Sequence, residues 1–109
     1  MSVEFVLRAT EEQVLREIVE RTFDYLGKRI STGNFTRNNP DDGGVWYSAI
    51  QGGMVYSLYY HPTKRHTATA DGGMFGGGLV RSIANAGEWA IAGSVAGPLG
   101  GRKTYYNVL

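Results

Sequence analysis

Residues 54–70, MVYSLYYHPTKRHTATA, decide the fold of this 109-residue chain. Two runs rich in Val, Tyr and Thr, Met54–Tyr60 and His66–Ala70, flank the turn-forming segment Pro62–Arg65. β-Branched and aromatic residues favour extended backbone, whereas proline lacks the backbone donor that a strand interior needs. The stretch therefore predicts two strands joined by a tight turn.

Further strand patterns lie on both sides of this hairpin. One precedes it, at Val45–Ile50, and three follow it, at Val80–Ala84, Trp89–Val95 and Lys103–Val108. Glycine-rich turns separate the later runs. Six short strands at roughly 8–12-residue spacing are typical of an antiparallel sandwich or barrel. We therefore expect a mainly β fold, a small antiparallel β-sandwich of about six short strands.

The N-terminal residues follow a different pattern. Apolar residues alternate over residues 3–7, which predicts a short strand. Thr10 and Gln13 then form a capping-box pattern, and apolar residues recur at helical spacing until Gly27, a natural helix stop. This pattern predicts a helix over Glu11–Leu26. We expect its apolar stripe to pack on the chain's own sheet.

The segment Thr32–Gly44, TGNFTRNNPDDGG, marks a change of composition. Residues 1–42 hold eight of the ten acidic residues, whereas residues 43–109 hold 14 of the 16 glycines. Asn, Asp, Gly and Pro at this density are typical of a turn-rich linker. We therefore expect a strand–helix appendage with its linker at residues 1–42 and a β-sandwich domain at residues 43–109.

The composition excludes several function classes. The chain has no cysteine, which rules out disulfides, thiolate metal ligands and thiol catalysis. Its net charge is +1, so it is no polycation and we expect no nucleic-acid partner. The uncharged segment Trp89–Gly101 is shorter than the ~20 residues that cross a bilayer, so we expect no transmembrane segment. The charged opening residues, MSVEFVLRAT, do not have the pattern of a signal peptide.

Five basic residues in the β-rich part are candidate ligands for an anion. That part contains only two acidic residues to balance them. The five basic residues are Lys64, Arg65, Arg81, Arg102 and Lys103. Cationic side chains and the free backbone N–H groups of glycine-rich turns both bind phosphate groups. The set predicts a site for a pyrophosphate-bearing ligand, with the Lys64-Arg65 pair first because turns present side chains outward. The alternative is an ordinary solvated surface.

His61 and His66 flank the predicted turn and could join this anion site. As metal ligands they have only Asp71 as a nearby acidic partner, and no nucleophile or oxyanion motif accompanies them. We therefore expect no metal site, no cofactor and no catalysis. The interpretation that we favour is structural, with the rings donating hydrogen bonds to carbonyl groups of the turn.

Aromatic residues are also concentrated in the β-rich part. The candidates for ligand contact or for the core are Trp46, Tyr59, Tyr60, Trp89, Tyr105 and Tyr106. Trp46 and Trp89 are the best core candidates. Neighbouring residues of a strand point to opposite faces, so we expect at least one tyrosine of each adjacent pair to be exposed. An exposed tyrosine could contact sugar rings, bilayer headgroups or a second copy of the chain.

The run from Tyr56 to Thr69 resembles the lactococcin 972 family of bacteriocins. That family carries the pattern YS-x-Y-x-H-x-S/T-K-x-H-S/T-A-T, and the run meets each fixed position. Trp46 stands where the family has an upstream Trp. Further along, Arg81 with residues 86–92, AGEWAIA, and residues 105–107, YYN, are similar to the family's later blocks.

The resemblance implies a secreted, non-enzymatic antibacterial protein with a β-sandwich. It also implies lipid II, the cell-wall precursor, as the target, with inhibition of wall and septum synthesis and without pore formation. Exposed strand edges further make a homodimer our expectation. The alternative is an intracellular, non-enzymatic interaction module that uses the N-terminal helix as a partner or oligomer interface.

Overall fold

The computed structural model describes residues 2–21, 35–51, 53–98 and 100–109 of the chain. Within these residues the elements in chain order are β1 (Ser2–Leu7), α1 (Glu11–Arg21), β2 (Thr36–Asn38), β3 (Val45–Gln51), β4 (Met54–Tyr60), β5 (His66–Asp71), β6 (Leu79–Ala84), β7 (Trp89–Val95) and β8 (Lys103–Val108). The six strands expected in the β-rich part correspond to β3 to β8, with bounds that differ by one residue at most.

The strands form two antiparallel sheets. The five-stranded sheet has the order β1-β7-β4-β3-β2, and the three-stranded sheet has the order β6-β5-β8. The structure therefore confirms the mainly β, antiparallel sandwich with an N-terminal strand and helix. The predicted turn at Pro62–Arg65 joins β4 to β5, so the two strands of the opening stretch belong to different sheets.

The N-terminal segment is built into this sandwich. β1 pairs with β7 along its whole length, from Ser2 opposite Ser94 to Leu7 opposite Trp89. The predicted capping box at the start of α1 is present. The Thr10 N–H donates to the Gln13 side chain at 3.0 Å, and the Gln13 N–H donates to the Thr10 hydroxyl at 3.2 Å. These two bonds satisfy backbone donors that a helix start leaves without intrahelical partners.

Two sequence expectations for this segment have different outcomes. The predicted helix begins where expected, at Glu11, but its predicted last residues, 22–26, lie outside the described residues. Within the predicted linker, Thr36–Asn38 form β2, which pairs with β3. That strand was missed because its three residues, TRN, are polar and exposed and therefore have no apolar alternation.

The larger part of the core lies between α1 and the five-stranded sheet. Val14 and Ile18 of α1 are fully buried, and they pack with Leu58, Trp89 and Ile91 of the central strands. The apolar stripe of the helix thus packs on the chain's own sheet, as the sequence predicted. These two side chains are consequently not free to bind a partner.

The two sheets pack through small residues. Ala68 and Ala70 of β5 are fully buried against alanines of β7. A serine hydroxyl also forms hydrogen bonds between the two sheets. Ser57 accepts a hydrogen bond from the Trp46 indole at 3.0 Å and donates to the Tyr105 carbonyl at 2.9 Å. Small side chains let the two sheets pack closely. The opposite face of the three-stranded sheet points outward.

No helix among the described residues has the length and apolarity that a membrane crossing requires.

Candidate ligand-binding face of the three-stranded sheet

The outward face of the three-stranded sheet carries a regular array of side chains, which we call the outer face. Because side chains alternate along a strand, Thr67, Thr69 and Asp71 of β5 share this face. Strand pairing places a residue of β6 and a residue of β8 beside each of them. The three rows are Ile83-Thr67-Asn107, Arg81-Thr69-Tyr105 and Leu79-Asp71-Lys103.

A shallow groove of about 410 Å³ runs over this face. Its floor is formed by two threonines that are each 6% exposed, and longer side chains surround them. The lining residues are Thr67, Thr69, Leu79, Arg81, Tyr105, Tyr106, Asn107 and Leu109. Hydroxyl, amide and guanidinium groups there offer hydrogen bonds in both directions. The exposed Tyr105 ring provides a flat apolar contact surface. The groove can therefore hold a polar, anionic ligand with apolar or ring-shaped parts.

Arg81 lies in the middle row of the outer face, on the edge strand β6, and has no carboxylate partner among the described residues. The two acidic residues of the β-rich part are engaged elsewhere. Glu88 pairs with Arg8 of the N-terminal segment at 3.9 Å, and the Asp71 carboxylate accepts the Gly73 N–H at 2.9 Å. The guanidinium of Arg81 is thus available to an anionic ligand, for which its planar donor geometry is suited.

Lys64 and Arg65, the pair expected first, are exposed in the turn that precedes β5. The Arg65 carbonyl accepts the N–H of Leu109 at 2.9 Å, which fixes the end of the chain beside this turn. Along β5, Arg65 is four residues from Thr69, or about 13 Å at ~3.3 Å per residue. The pair therefore stands at one end of the groove.

Arg102 and Lys103 lie at the opposite end of the sheet. Both the Nε and an Nη of Arg102 donate to the Gly97 carbonyl, at 3.1 and 2.9 Å, so this side chain also orders the neighbouring loop. Lys103 is exposed and lies opposite Asp71. Asp71 and Arg65 are six residues apart, about 20 Å along the strand. The structure thus separates the five cations and does not gather them around one pyrophosphate, and Arg102 does not line the groove.

The structure places His61 and His66 in the interior, where 2% and 0% of their surfaces are exposed. His61 Nε2 donates to the Asp42 carbonyl at 2.8 Å, and its Nδ1 accepts the N–H groups of Thr63 and Lys64 at 3.2 and 3.1 Å. The ring thereby holds the backbone of the turn. These contacts position the backbone of Lys64, and the burial of the ring keeps it from the surface where a ligand would bind.

His66 bridges two loops by contacts with backbone carbonyls. Its Nδ1 lies 2.8 Å from the Lys64 carbonyl and its Nε2 lies 2.8 Å from the Glu88 carbonyl. A carbonyl only accepts, so both contacts are hydrogen bonds when both ring nitrogens carry protons. The preferred sequence interpretation, rings donating to turn carbonyls, matches this geometry. Among the described residues, no three His, Asp or Glu side chains come together as a metal site needs.

A tyrosine and an aspartate extend this network. The hydroxyl of Tyr59 donates to the Asp42 carboxylate, which also accepts the Gly44 N–H at 2.9 Å. Burial and the neighbouring Asp42 charge raise the pKa of Tyr59 above its usual value. Although burial opposes ionisation of Asp42, the Tyr59 and Gly44 hydrogen bonds hold the pKa of Asp42 below its usual value. Asp42 therefore remains charged at neutral pH and holds the Tyr59 hydroxyl and the Gly44 N–H.

The predicted aromatic residues fall into two groups. Trp89 is buried on the helix side of the large sheet, with the Tyr60 ring 5.3 Å from its own. On the other side, Tyr106 stacks against Trp46 and Tyr59, at ring distances of 4.7 and 4.9 Å.

The structure differs in two details from the predicted positions of the aromatic residues. Trp46 is half-buried at the margin of the core and is not central to it. Tyr105 and Tyr106 are both exposed, but neither Tyr59 nor Tyr60 is. β4 lies at the centre of a sheet that is covered on both faces, by α1 and by the three-stranded sheet, so neither of its faces meets solvent.

Sequence reasoning did not single out Thr67 and Thr69. Both lie in the stretch that decides the fold, and a β5 assignment already places them on one face by alternation. The missing information was which face of β5 is covered. That depends on the packing of β5 against β4 and β7 of the large sheet, and β7 is distant in the chain.

Comparison with known proteins assigns the β-rich part to a family. A family model described as Bacteriocin (Lactococcin_972) matches residues 42–106, more than half of the chain. The matched segment begins at Asp42 and includes the turn with Lys64-Arg65 and the residues Arg81 and Tyr105. No curated protein and no solved structure matches the chain.

Proposed function

This chain belongs to the Lactococcin_972 family of bacteriocins, a class of antibacterial proteins, and on that premise we propose that it acts by binding lipid II. Binding of this precursor would withhold it from wall and septum synthesis. The observation that carries the proposal is Arg81, which has no carboxylate partner among the described residues and shares a row of the groove with Thr69 and Tyr105. The proposed mechanism requires no catalysis and no pore.

The chemistry of the outer face suits the headgroup of lipid II. Its pyrophosphate needs cationic donors, and Arg81 with the Thr67 and Thr69 hydroxyls supplies donors in one place. Its sugar rings need a flat apolar contact with hydrogen-bonding groups around it, which Tyr105 and Asn107 supply. An extended headgroup placed along the groove also reaches the Lys64-Arg65 turn.

We also propose secretion, because lipid II presents its headgroup for wall synthesis outside the cytoplasm. The intracellular alternative required the helix as an interface. Val14 and Ile18 of α1 are already buried against the sheet, so the structure does not favour the helix as an interface for a partner.

A homodimer is part of the proposal. β6 and β8 are the two edges of the three-stranded sheet, and exposed edges supply backbone groups for pairing with a second copy. Sedimentation velocity of the full chain tests it. A dimer species that grows with concentration supports the proposal, and a monomer at all concentrations contradicts it.

The proposed target is tested by titrating the full chain with lipid II in detergent micelles. We expect saturable binding by the wild-type chain and at least about tenfold weaker binding by Arg81→Glu, because the variant replaces a phosphate ligand by a repelling charge. Arg16→Glu is the matched control. It reverses an exposed charge on α1, away from the outer face, and should bind as wild type does.

Two further readouts separate the elements of the proposal. Undecaprenyl phosphate, which lacks the sugars and the second phosphate, should bind more weakly than lipid II. Lipid II recovered after long incubation should be chemically unchanged, and a smaller product would contradict the non-catalytic mechanism. Equal binding of lipid II by wild type and Arg81→Glu would contradict the proposed face, and no binding by wild type would contradict the target.

A further inference from the structure

The loop between β5 and β6, residues 72–78, GGMFGGG, presents two large apolar side chains to solvent. Phe75 is 80% exposed and Met74 is 63% exposed, and Phe75 is the most exposed of the large hydrophobic residues in the described part of the chain. Burial of an aromatic side chain is favourable, so a Phe left in water indicates a partner surface when its exposure is imposed by the backbone.

The backbone of this loop does impose that exposure. The Gly76 N–H donates to the Gly73 carbonyl at 3.1 Å, so Met74 and Phe75 are the two central residues of a β-turn. Phe75 has φ +60°, the one positive φ at a non-glycine residue among the described residues. That position favours Gly or Asn, and a bulky side chain there is strained. A strained aromatic residue in a loop that is otherwise rich in glycine points to a function of the side chain itself.

The base of the loop is anchored to the rest of the sandwich. The Gly72 carbonyl accepts the Gly97 N–H at 2.6 Å, and the Gly77 N–H donates to the Val95 carbonyl at 2.8 Å. The backbones approach so closely that a Cβ on Gly72 would lie 1.8 Å from the Val95 carbonyl oxygen. Met74 and Phe75 therefore project from a rigid support.

Cationic side chains follow directly after the backbone that this loop contacts. A Cβ on Gly101 would lie 4.0 Å from the Met74 nitrogen, and the next two residues are Arg102 and Lys103. Leu79, 61% exposed, adds apolar surface at the same end of the sheet. Apolar tips flanked by cations suit a membrane surface, where the apolar groups enter the interface and the cations meet anionic headgroups.

We propose that the Met74–Phe75 tip inserts into the interface of an anionic phospholipid bilayer. Arg102 and Lys103 then lie at headgroup level, and the groove of the outer face begins next to them. The inference is independent of the proposed ligand, because it requires a bilayer of ordinary phospholipids and no lipid II.

The test measures binding of the full chain to vesicles that contain no lipid II, either phosphatidylglycerol with phosphatidylcholine or phosphatidylcholine alone. We expect binding to the anionic vesicles. Phe75→Asn should lower the partition coefficient about tenfold, because it removes the inserted ring. The same variant should raise the thermal unfolding midpoint, since Asn tolerates a positive φ. A variant that is more stable but binds less cannot owe its loss to unfolding.

Two more variants complete the test. Lys103→Gln should weaken binding to anionic vesicles about fivefold at low salt, and the difference should shrink at high salt. Leu109→Asn is the matched control, because Leu109 is similarly exposed but lies at the opposite end of the outer face, beside Arg65. It should bind as wild type does.

Three results would overturn the inference. They are no binding of the wild-type chain to anionic vesicles, unchanged binding by Phe75→Asn, and an equal loss in Leu109→Asn. If Phe75→Asn instead abolishes self-association in sedimentation and leaves vesicle binding unchanged, the occupant of the tip is a second copy of the chain and the membrane proposal fails.

Discussion

The two sheets of this sandwich differ in how much of their surface is covered. The five-stranded sheet is covered on one face by α1 and on the other by the three-stranded sheet, and its central strands β4 and β7 are buried almost throughout. The three-stranded sheet has one covered face. Its middle strand β5 is also buried, but its edge strands carry exposed residues on the outer face, among them Leu79 and Arg81, which has no carboxylate partner among the described residues. The comparison indicates that the covered sheet contributes most of the stability, and it leaves the outer face of the other sheet as the surface for which we propose binding.

The largest effect should follow from a cavity in the covered sheet. Leu58 of β4 is fully buried between α1 and the sheet, so Leu58→Ala should lower the free energy of unfolding by about 3 kcal/mol. Ile83→Ala is the matched change on the outer face, where 46% of the side chain is exposed, and should cost under about 1 kcal/mol. Urea denaturation of both variants measures the difference. Equal costs would contradict the division of roles.

A second prediction sharpens the contrast between the buried and exposed residues around the turn before β5. His66→Ala removes the buried ring between the Lys64 and Glu88 carbonyls, leaves at least one of them without its donor, and should lower the free energy of unfolding by about 2 kcal/mol. Lys64→Gln changes only an exposed side chain and should leave the free energy of unfolding unchanged. If denaturation curves show the reverse order, the histidine is not the structural element of this turn.

The smallest effect concerns the contact of α1 with the large sheet. The carboxylate of Glu11 accepts two hydrogen bonds from Arg37 and a third from the Tyr47 hydroxyl. These bonds hold the pKa of Glu11 below its ordinary value, although burial acts in the opposite direction. The folded chain therefore binds this proton less readily than the unfolded chain does. The stabilisation is present above the unfolded pKa and is lost as the pH falls through the folded one.

Glu11→Gln tests this dependence. The wild-type chain should be the more stable at neutral pH, and the difference should shrink as the pH falls through the folded-state pKa of Glu11, below which the carboxyl group is protonated in both states. Thermal unfolding at several pH values gives the comparison. A difference that stays constant with pH would show that the charge of Glu11 contributes nothing.

Much of the fold could be predicted because local rules determine it. Glycine and proline mark the turns, β-branched and aromatic runs mark β3 to β8, and Thr10 with Gln13 marks the start of α1. The short strand Thr36–Asn38 had no such signal. Its pairing with β3 is a long-range contact, and so is the pairing of β1 with β7, which brings the first residues of the chain into the large sheet.

The site was harder to predict than the fold. The sequence identified Arg81 and Tyr105 as candidates, but alternation alone could not say that they share a row with Thr69. It also grouped His61 and His66 with the cations, although the two histidines are buried beneath the turn. The sequence identifies the residue types, whereas strand pairing and burial determine which of these residues are exposed on the outer face.

The central claim is that lipid II binds on the outer face, and threonine methyl resonances of the full chain test it most directly. Thr67 and Thr69 lie in the groove, whereas Thr10 lies at the start of α1. Titration with lipid II in micelles should shift the signals of Thr67 and Thr69 and leave Thr10 unchanged, relative to empty micelles. Saturable binding with no shift at Thr67 and Thr69 would contradict the account.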